Sequence, residues 1–411
     1  MTSGSLTFGF KLLRQFSAFL LSGTVIALIW ANTNDQGYHA FVEAALLPAD
    51  HWLAHLLTHG KTTFNFHFVV NDMFMVMFFG IAGKEVAESF LPGGALSSAR
   101  KAAMPVMATL GGVIGPILVF FTLYHFFGIQ GDVNKAAWAV PTATDIAYCW
   151  LFARIIFGAA HPAVTFLLVL AVLDDLIGML IIAFYYTPEV HPEWLLLLVA
   201  ALVICEGMRR KGVKSFWPYA LIGGTLSWFG LHNTGVHAAL ALVPIIPFMP
   251  HQKRDAGLFA DEQGGDTMNR FEHFFAPIVD VGLFAFGLAN AGVLLNAESF
   301  GGSITWTIFL SLFVGKTLGI FTLSWVGKLF GLSLPKPMTL PQVVVLGCVA
   351  GIGFTVALFV TTVALGLSSA QGWVLPEGAG DMMKLGALLS FAAGPVAWLL
   401  SKLLRVQKID K

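Results

Sequence analysis

Two adjacent carboxylates, Asp174 and Asp175, sit midway along an apolar run over residues 163–186, long enough to cross a bilayer. An acid at the centre of such a segment costs roughly 2.5–3.5 kcal/mol on insertion scales, so two in succession mark a site. The chemistry they suggest is exchange of protons for a cation, since both compete for the same negative charge. On an ideal helix neighbouring side chains diverge by about 100°, so the two acids have separate surroundings rather than forming a parallel chelate. A dehydrated Na+ or Li+ is a hard cation that takes oxygen ligands, which carboxylates, a threonine hydroxyl, carbonyls and water supply.

The surrounding chain is built for a bilayer. Of its 411 residues 57% are hydrophobic and 11% charged, whereas a globular domain carries about 25% charged residues. Lys plus Arg and Asp plus Glu number 23 each, so the charge balance gives no reason to expect a nucleic acid partner. Cys149, Cys205 and Cys348 lie in apolar stretches without a metal-ligand or disulfide pattern. With no long soluble segment, residues 1–411 read as a single membrane domain.

Apolar stretches predict an all-α polytopic protein of about twelve transmembrane helices. They fall at residues 16–30, 66–90, 103–124, 135–157, 163–186, 194–208, 216–231, 236–248, 271–295, 306–330, 341–366 and 381–404. One set of connecting segments holds Lys11, Arg14, Arg100, Lys101, Arg154, Arg209, Arg210, Lys211, Lys214, Lys328 and Lys336; the other holds little beyond Lys61 and Lys135. This bias puts both termini in the cytoplasm and suits a bacterial-type inner membrane. The outer segment 31–65 carries His39, His51, His55 and His59 without cysteine or a clear carboxylate partner, and reads as a loop with surface histidines.

Two spans are interrupted at matching places. Pro141-Thr142-Ala143-Thr144-Asp145 breaks the fourth, because proline removes a backbone donor and clashes with the preceding turn. Gly351-Ile352-Gly353-Phe354-Thr355 breaks the eleventh with two permissive glycines. Each follows a glycine-rich span and precedes one more, so residues 103–186 and 306–404 read as three-helix units in inverted orientation. Unwound backbone at membrane depth is tolerated where protein or a water-filled cavity surrounds it. Its half-helix ends carry partial charges, which Asp145 offsets on the positive side and Lys316, the one clear mid-membrane cation, on the negative.

At this point the chain resembles the NhaA-type sodium/proton antiporters. The resemblance rests on residues 141–147, Asp174-Asp175, Gly235-Val236-His237-Ala238, Asn290-Ala291-Gly292-Val293, Gly315-Lys316 and residues 351–355. It implies two crossed discontinuous helices and a secondary transporter, not an enzyme, that exchanges Na+ or Li+ for H+ in sodium and pH homeostasis. It implies an ion and proton site at Asp174 and Asp175 with Thr144 and Asp145 beside it, Na+ being held by Asp174, Asp175 and Thr144. It further implies Lys316 as partner of an aspartate, Asp174 ahead of Asp175, and electrogenic exchange of two protons per Na+. Glu85, His237, Glu272 and His273 are its pH-response positions, Asp72 is a further intramembrane acid, and a homodimer is held partly by the outer loop. It implies no cofactor. The chain departs from the family after Glu85, reading Val86-Ala87-Glu88 where basic residues are common, and adds Asp280 in the ninth span.

Rival readings lack their signatures. An intramembrane aspartyl protease carries its two acids on separate helices in Gly-x-Gly-Asp and Tyr-Asp contexts, and an intramembrane zinc protease needs His-Glu-x-x-His; Gly378-Ala379-Gly380-Asp381 has no Tyr-Asp to pair with, and His-Glu-x-x-His is absent. A sodium-coupled symporter shares broken helices but adds a solute pocket, and collapse of a pH gradient by Na+ without organic solute separates it from an antiporter.

Overall fold

The computed structural model describes residues 18–48, 50–58, 63–92, 94, 96–187, 189–251 and 266–409. Its principal helices are α1 (Ala18–Thr33), α2 (Phe66–Phe90), α3 (Ala99–Phe126), α4 (Val133–Thr142), α5 (Ile146–Phe157), α6 (Pro162–Phe184) and α7 (Leu195–Arg210). They continue as α8 (216–234), α9 (Thr267–Asn290), α10 (Ser303–Leu329), α11 (Leu340–Ala350), α12 (Phe354–Gln371) and α13 (Ala379–Leu403). There is no β-strand among the described residues, only an isolated bridge between Ala45 and Asn65.

Seven of these, α2, α3, α6, α9, α10, α12 and α13, are long and apolar enough to cross a membrane; α4 with α5, bent by 42°, makes an eighth. The protein is therefore a multi-pass, all-α membrane protein. By length and composition the described residues do not reach the twelve spans expected from sequence, and two stretches differ in form. Residues 236–248 form short 3-10 turns, Ala238–Leu240 and Ile246–Phe248, instead of a continuous helix. Pro244 and Pro247 remove backbone donors there. Segment 31–65 is largely helical among its described residues, with Asp35–Glu43 started by Asn34, whose side chain accepts from Gly37 N–H, and Trp52–Thr58 following. His39 lies within 3.4 Å of Asp35 and Glu43 on an exposed face, while His59 and Lys61 lie outside the described residues.

The chain divides into two compact units, residues 1–87 with 187–295 and residues 88–186 with 296–411. In the first, α1 packs along α9. Tyr38 Oη donates to Leu288 O (2.9 Å) and Asn32 Nδ2 to Val293 O (2.8 Å), fastening segment 31–65 to the end of α9.

The second unit holds both interrupted spans and the acidic pair. Its central helix, α6, is buried on nearly every side from Val169 to Asp175, as suits an element enclosed by its neighbours. α3 and α10 cross where Gly111 and Gly115 meet Gly315 and Gly319. A Cβ at Gly111 or Gly319 would collide with the backbone of the facing helix. Such small-residue seams let membrane helices approach to backbone contact, where dispersion and close packing supply the attraction that water cannot. The seam sets the height of Lys316, which follows a π-helical turn over Ser311–Gly315. At one end of the unit Asp132 N–H donates to Val374 O (2.8 Å) and Val374 N–H to Asp132 Oδ2 (3.0 Å), tying the start of α4 to the segment after α12. Its hydrogen bonds from Lys135 and from Val374 hold the Asp132 carboxyl below the usual carboxylate range.

A side chain in the seam is expected to force the helices apart. Gly319→Val should lower stability by about 1–3 kcal/mol or more. Gly366→Ala, on α12 with nothing within 4 Å of the added carbon, should be neutral or stabilising by up to about 1 kcal/mol. Melting of the purified variants in detergent checks both; equal stability of Gly319→Val and the parent contradicts the role given to the seam.

Candidate functional site

The two breaks meet in the second unit. Residues 143–145 leave helical geometry between α4 and α5, and residues 351–353 separate α11 from α12. A direct backbone hydrogen bond joins them, Asp145 N–H to Ile352 O at 2.7 Å. Each break exposes orphan amides at the start of one half-helix and orphan carbonyls at the end of another, and buried backbone groups of this kind need partners.

Asp145 serves both helix starts. Its Oδ1 accepts from Tyr148 N–H (3.2 Å) at the start of α5, and its Oδ2 accepts from Thr355 N–H (3.1 Å) and from the Thr355 hydroxyl at the start of α12. A negative side chain between two positive helix ends is the favourable arrangement for their dipoles. Lys316 serves the opposite pole. Its ammonium donates to Thr142 O (2.7 Å), the carbonyl end of α4, to Thr144 Oγ1 (2.5 Å) and to Asp174 Oδ2. Thr144 Oγ1 donates to Asp174 Oδ2 and lies 3.2 Å from Ala350 O, the carbonyl end of α11. Thr144, Asp174 and Lys316 thus form one hydrogen-bonded group, with Asp145 and Thr355 adjoining it through the breaks.

All of these side chains are buried, and Lys316 is fully enclosed. Asp175 is buried as well, but makes no ion pair with Lys316. The 100° step along α6 separates the two acids, as the helix repeat requires. Asp174 Oδ1 and Asp175 Oδ1 are buried oxygens without a hydrogen-bond partner among the described residues. Unsatisfied buried oxygens are costly. The two lie on neighbouring carboxylates of α6, and carboxylate oxygens are the ligand type that hard cations take. The same oxygens bind protons.

Pro141, Gly351 and Gly353 lie at the breaks where sequence placed them. The remaining candidates lie in the first unit and divide into two places. Glu272 pairs with Lys84 at 2.7 Å, and Glu85 lies 3.5 Å from the same ammonium. His237 instead caps the 3-10 turn at Ala238, accepting from Ala239 N–H (3.3 Å), and lies 3.9 Å from Asp72. Trp228 Nε1 donates to Asp72 O (2.9 Å) beside it. His273 is exposed on α9, a helix step away from buried Glu272. Lys84 was not singled out from sequence, although it is a second fully buried cation. The available signal was a lysine between Gly83 and Glu85 inside an apolar run.

The sequence model of the family described as Na+/H+ antiporter 1 matches residues 11–400. The Na(+)/H(+) antiporter NhaA of Geobacter sulfurreducens is 47% identical over 404 residues, covering 97% of this chain and 98% of the relative. That of Jannaschia sp. is 41% identical, covering 96% and 97%. The solved structure of the sodium proton antiporter MjNhaP1 from Methanocaldococcus jannaschii superposes with a TM-score of 0.54 at 14% identity, covering 95% of this chain and 92% of that one. At that identity the likeness is one of fold.

Removing one member of the buried pair strands the other. Lys316→Met is expected to cost about 3–5 kcal/mol, and adding Asp174→Asn should recover part of it. Denaturation of the two variants in detergent decides: a double variant no more stable than Lys316→Met rules out the pair as the source of the loss.

Proposed function

Because the chain belongs to the Na+/H+ antiporter 1 family, we propose that its exchange of Na+ for H+ runs through Asp174 and Asp175. The observation that carries this is the pair of partnerless buried oxygens on adjacent carboxylates beside the crossed breaks. Asp175, which has no lysine, is the principal cation ligand. Asp174 and the Thr144 hydroxyl complete the oxygen set, and Asp145 and Lys316 balance the half-helix ends. Na+ and protons compete for the same oxygens, so the arrival of one expels the other. Two acids releasing two protons for each Na+ make the exchange electrogenic, and Li+, also a hard cation, enters the same site.

In this reading the chain is a transporter rather than an enzyme, and its two units form one transporter domain. Residues 103–186 and 306–404 are inverted repeats within it. The chain works in a bacterial inner membrane with both termini cytoplasmic, and as a homodimer. The buried cluster of Lys84 with Glu272 and Glu85 is the place through which pH regulates exchange.

Two outcomes test this. Asp175→Asn should insert and melt like the parent yet give no Na+-driven dequenching of a pH-sensitive dye in everted vesicles at any pH. Appreciable exchange by correctly inserted Asp175→Asn removes Asp175 from the site. For regulation, Glu272→Gln weakens a charge-assisted hydrogen bond to Lys84, an interaction of roughly 1.5–3 kcal/mol. The pH profile of exchange should therefore move. If it stays in place in Glu272→Gln and in the double variant with Glu85→Gln, the cluster has no regulatory part.

A further inference from the structure

The start of α12 needs more acceptors than Asp145 provides. Its N-cap residue is Gly353, which has no side chain to cap the helix. Thr355 N–H is taken by Asp145, as described, but Gly353 N–H and Phe354 N–H point elsewhere. Both reach one atom on another helix, Ser390 Oγ, at 3.1 and 3.2 Å. The serine hydrogen is committed in turn to Ala387 O at 2.5 Å. A hydroxyl has one donor and two acceptor positions, and all three are in use here. Ser390 is wholly buried and opens a 3-10 turn, Ser390–Ala392, that interrupts α13. Its neighbour Phe391 packs edge-on against Tyr148, just past the first break, and tilted against Phe354, just past the second, with ring centroids 5.2 and 5.8 Å apart.

We propose that Ser390 is a positioning residue for the exchange site. It fixes the amides of 353 and 354, and with them the carbonyl of Ile352 that Asp145 N–H requires and the Thr355 groups that hold the Asp145 carboxylate. Through that chain of bonds it holds Thr144, and hence the oxygen set around Asp174 and Asp175, in the geometry that binds Na+. Ser390 touches neither ion nor proton itself. The interruption of α13 is what lets one side chain reach a break two helices away in sequence, so that three bent spans are locked to each other.

The inference rests on the ion site proposed above, so the experiment runs Asp175→Asn in parallel. Exchange is measured in everted vesicles as a function of Na+ concentration and pH for the parent, Ser390→Ala, Ser390→Thr and Ser324→Ala. Ser324 is an equally buried serine on α10 whose hydroxyl has no partner among the described residues, so it controls for loss of a buried serine as such. Ser390→Ala should raise the apparent KM for Na+ by roughly tenfold and shift the pH–rate profile, since two buried amides lose their acceptor. Ser390→Thr, which keeps the hydroxyl, should restore most of both, and Ser324→Ala should leave both at parental values. If Ser390→Ala fails to insert, Ser390→Cys, with a weaker acceptor of similar size, takes its place with the same expectation. A parental KM and pH profile in Ser390→Ala or its replacement, whatever the melting temperature, overturns the proposal. So does an equal shift in Ser324→Ala. Exchange by Asp175→Asn would instead overturn the ion site.

Discussion

A lysine and an aspartate buried together at membrane depth are the constraint on which the rest of the second unit depends. Neither charge is tolerable there alone, and a bare ion pair is weak compensation for two lost hydration shells. The structure meets that cost by giving each charge further work. The Lys316 ammonium also satisfies the carbonyl end of α4, and Asp174 also accepts from Thr144. The Asp145 carboxylate satisfies amides at the starts of α5 and α12. The unwound segments and the buried charges therefore explain each other: each provides the partners that the other lacks. What remains unpaired is one oxygen on Asp174 and one on Asp175.

Positioning of this kind demands backbone precision, and the glycine seam between α3 and α10 provides it. Where two helices touch backbone to backbone there is no flexible side chain to absorb a displacement. Lys316 follows directly on the π-turn beside that seam, so its ammonium is delivered to a set height along α10. The backbone bond between Asp145 and Ile352 then fixes one break against the other. Sequence, packing and chemistry meet at a few residues, and a change in the seam acts on the site without touching it.

Much of this was legible in the sequence because the signals are local. Acids inside an apolar run, a proline before threonines, and glycines flanking Ile352 each violate a helix rule at one place, and the violations mark the candidate site. Long apolar helices were equally legible. Partnerships between distant residues were not. Nothing about Ser390 distinguishes it from other serines until the turn in α13 brings it to Gly353 and Phe354. Lys84 was not singled out, because its burial against Glu272, a partner distant in sequence, is not written in its own neighbourhood. The short apolar stretch at 236–248 misled because hydropathy does not register the amides that Pro244 and Pro247 lack. Segment 31–65 misled in the opposite sense, since its polar composition hides two helices.

The central claim is that Na+ and protons share one set of carboxylate oxygens, and the most direct test is proton release on Na+ binding to the purified protein. With the protein in detergent and weak buffer, Na+ is added and a pH-indicator dye is read over a range of starting pH. Ligands that must deprotonate to bind a cation release protons as they do so. The account predicts release of about one to two protons per chain, with apparent Na+ affinity falling as the pH is lowered. Saturable Na+ binding with no proton release and the same affinity at every pH would contradict it.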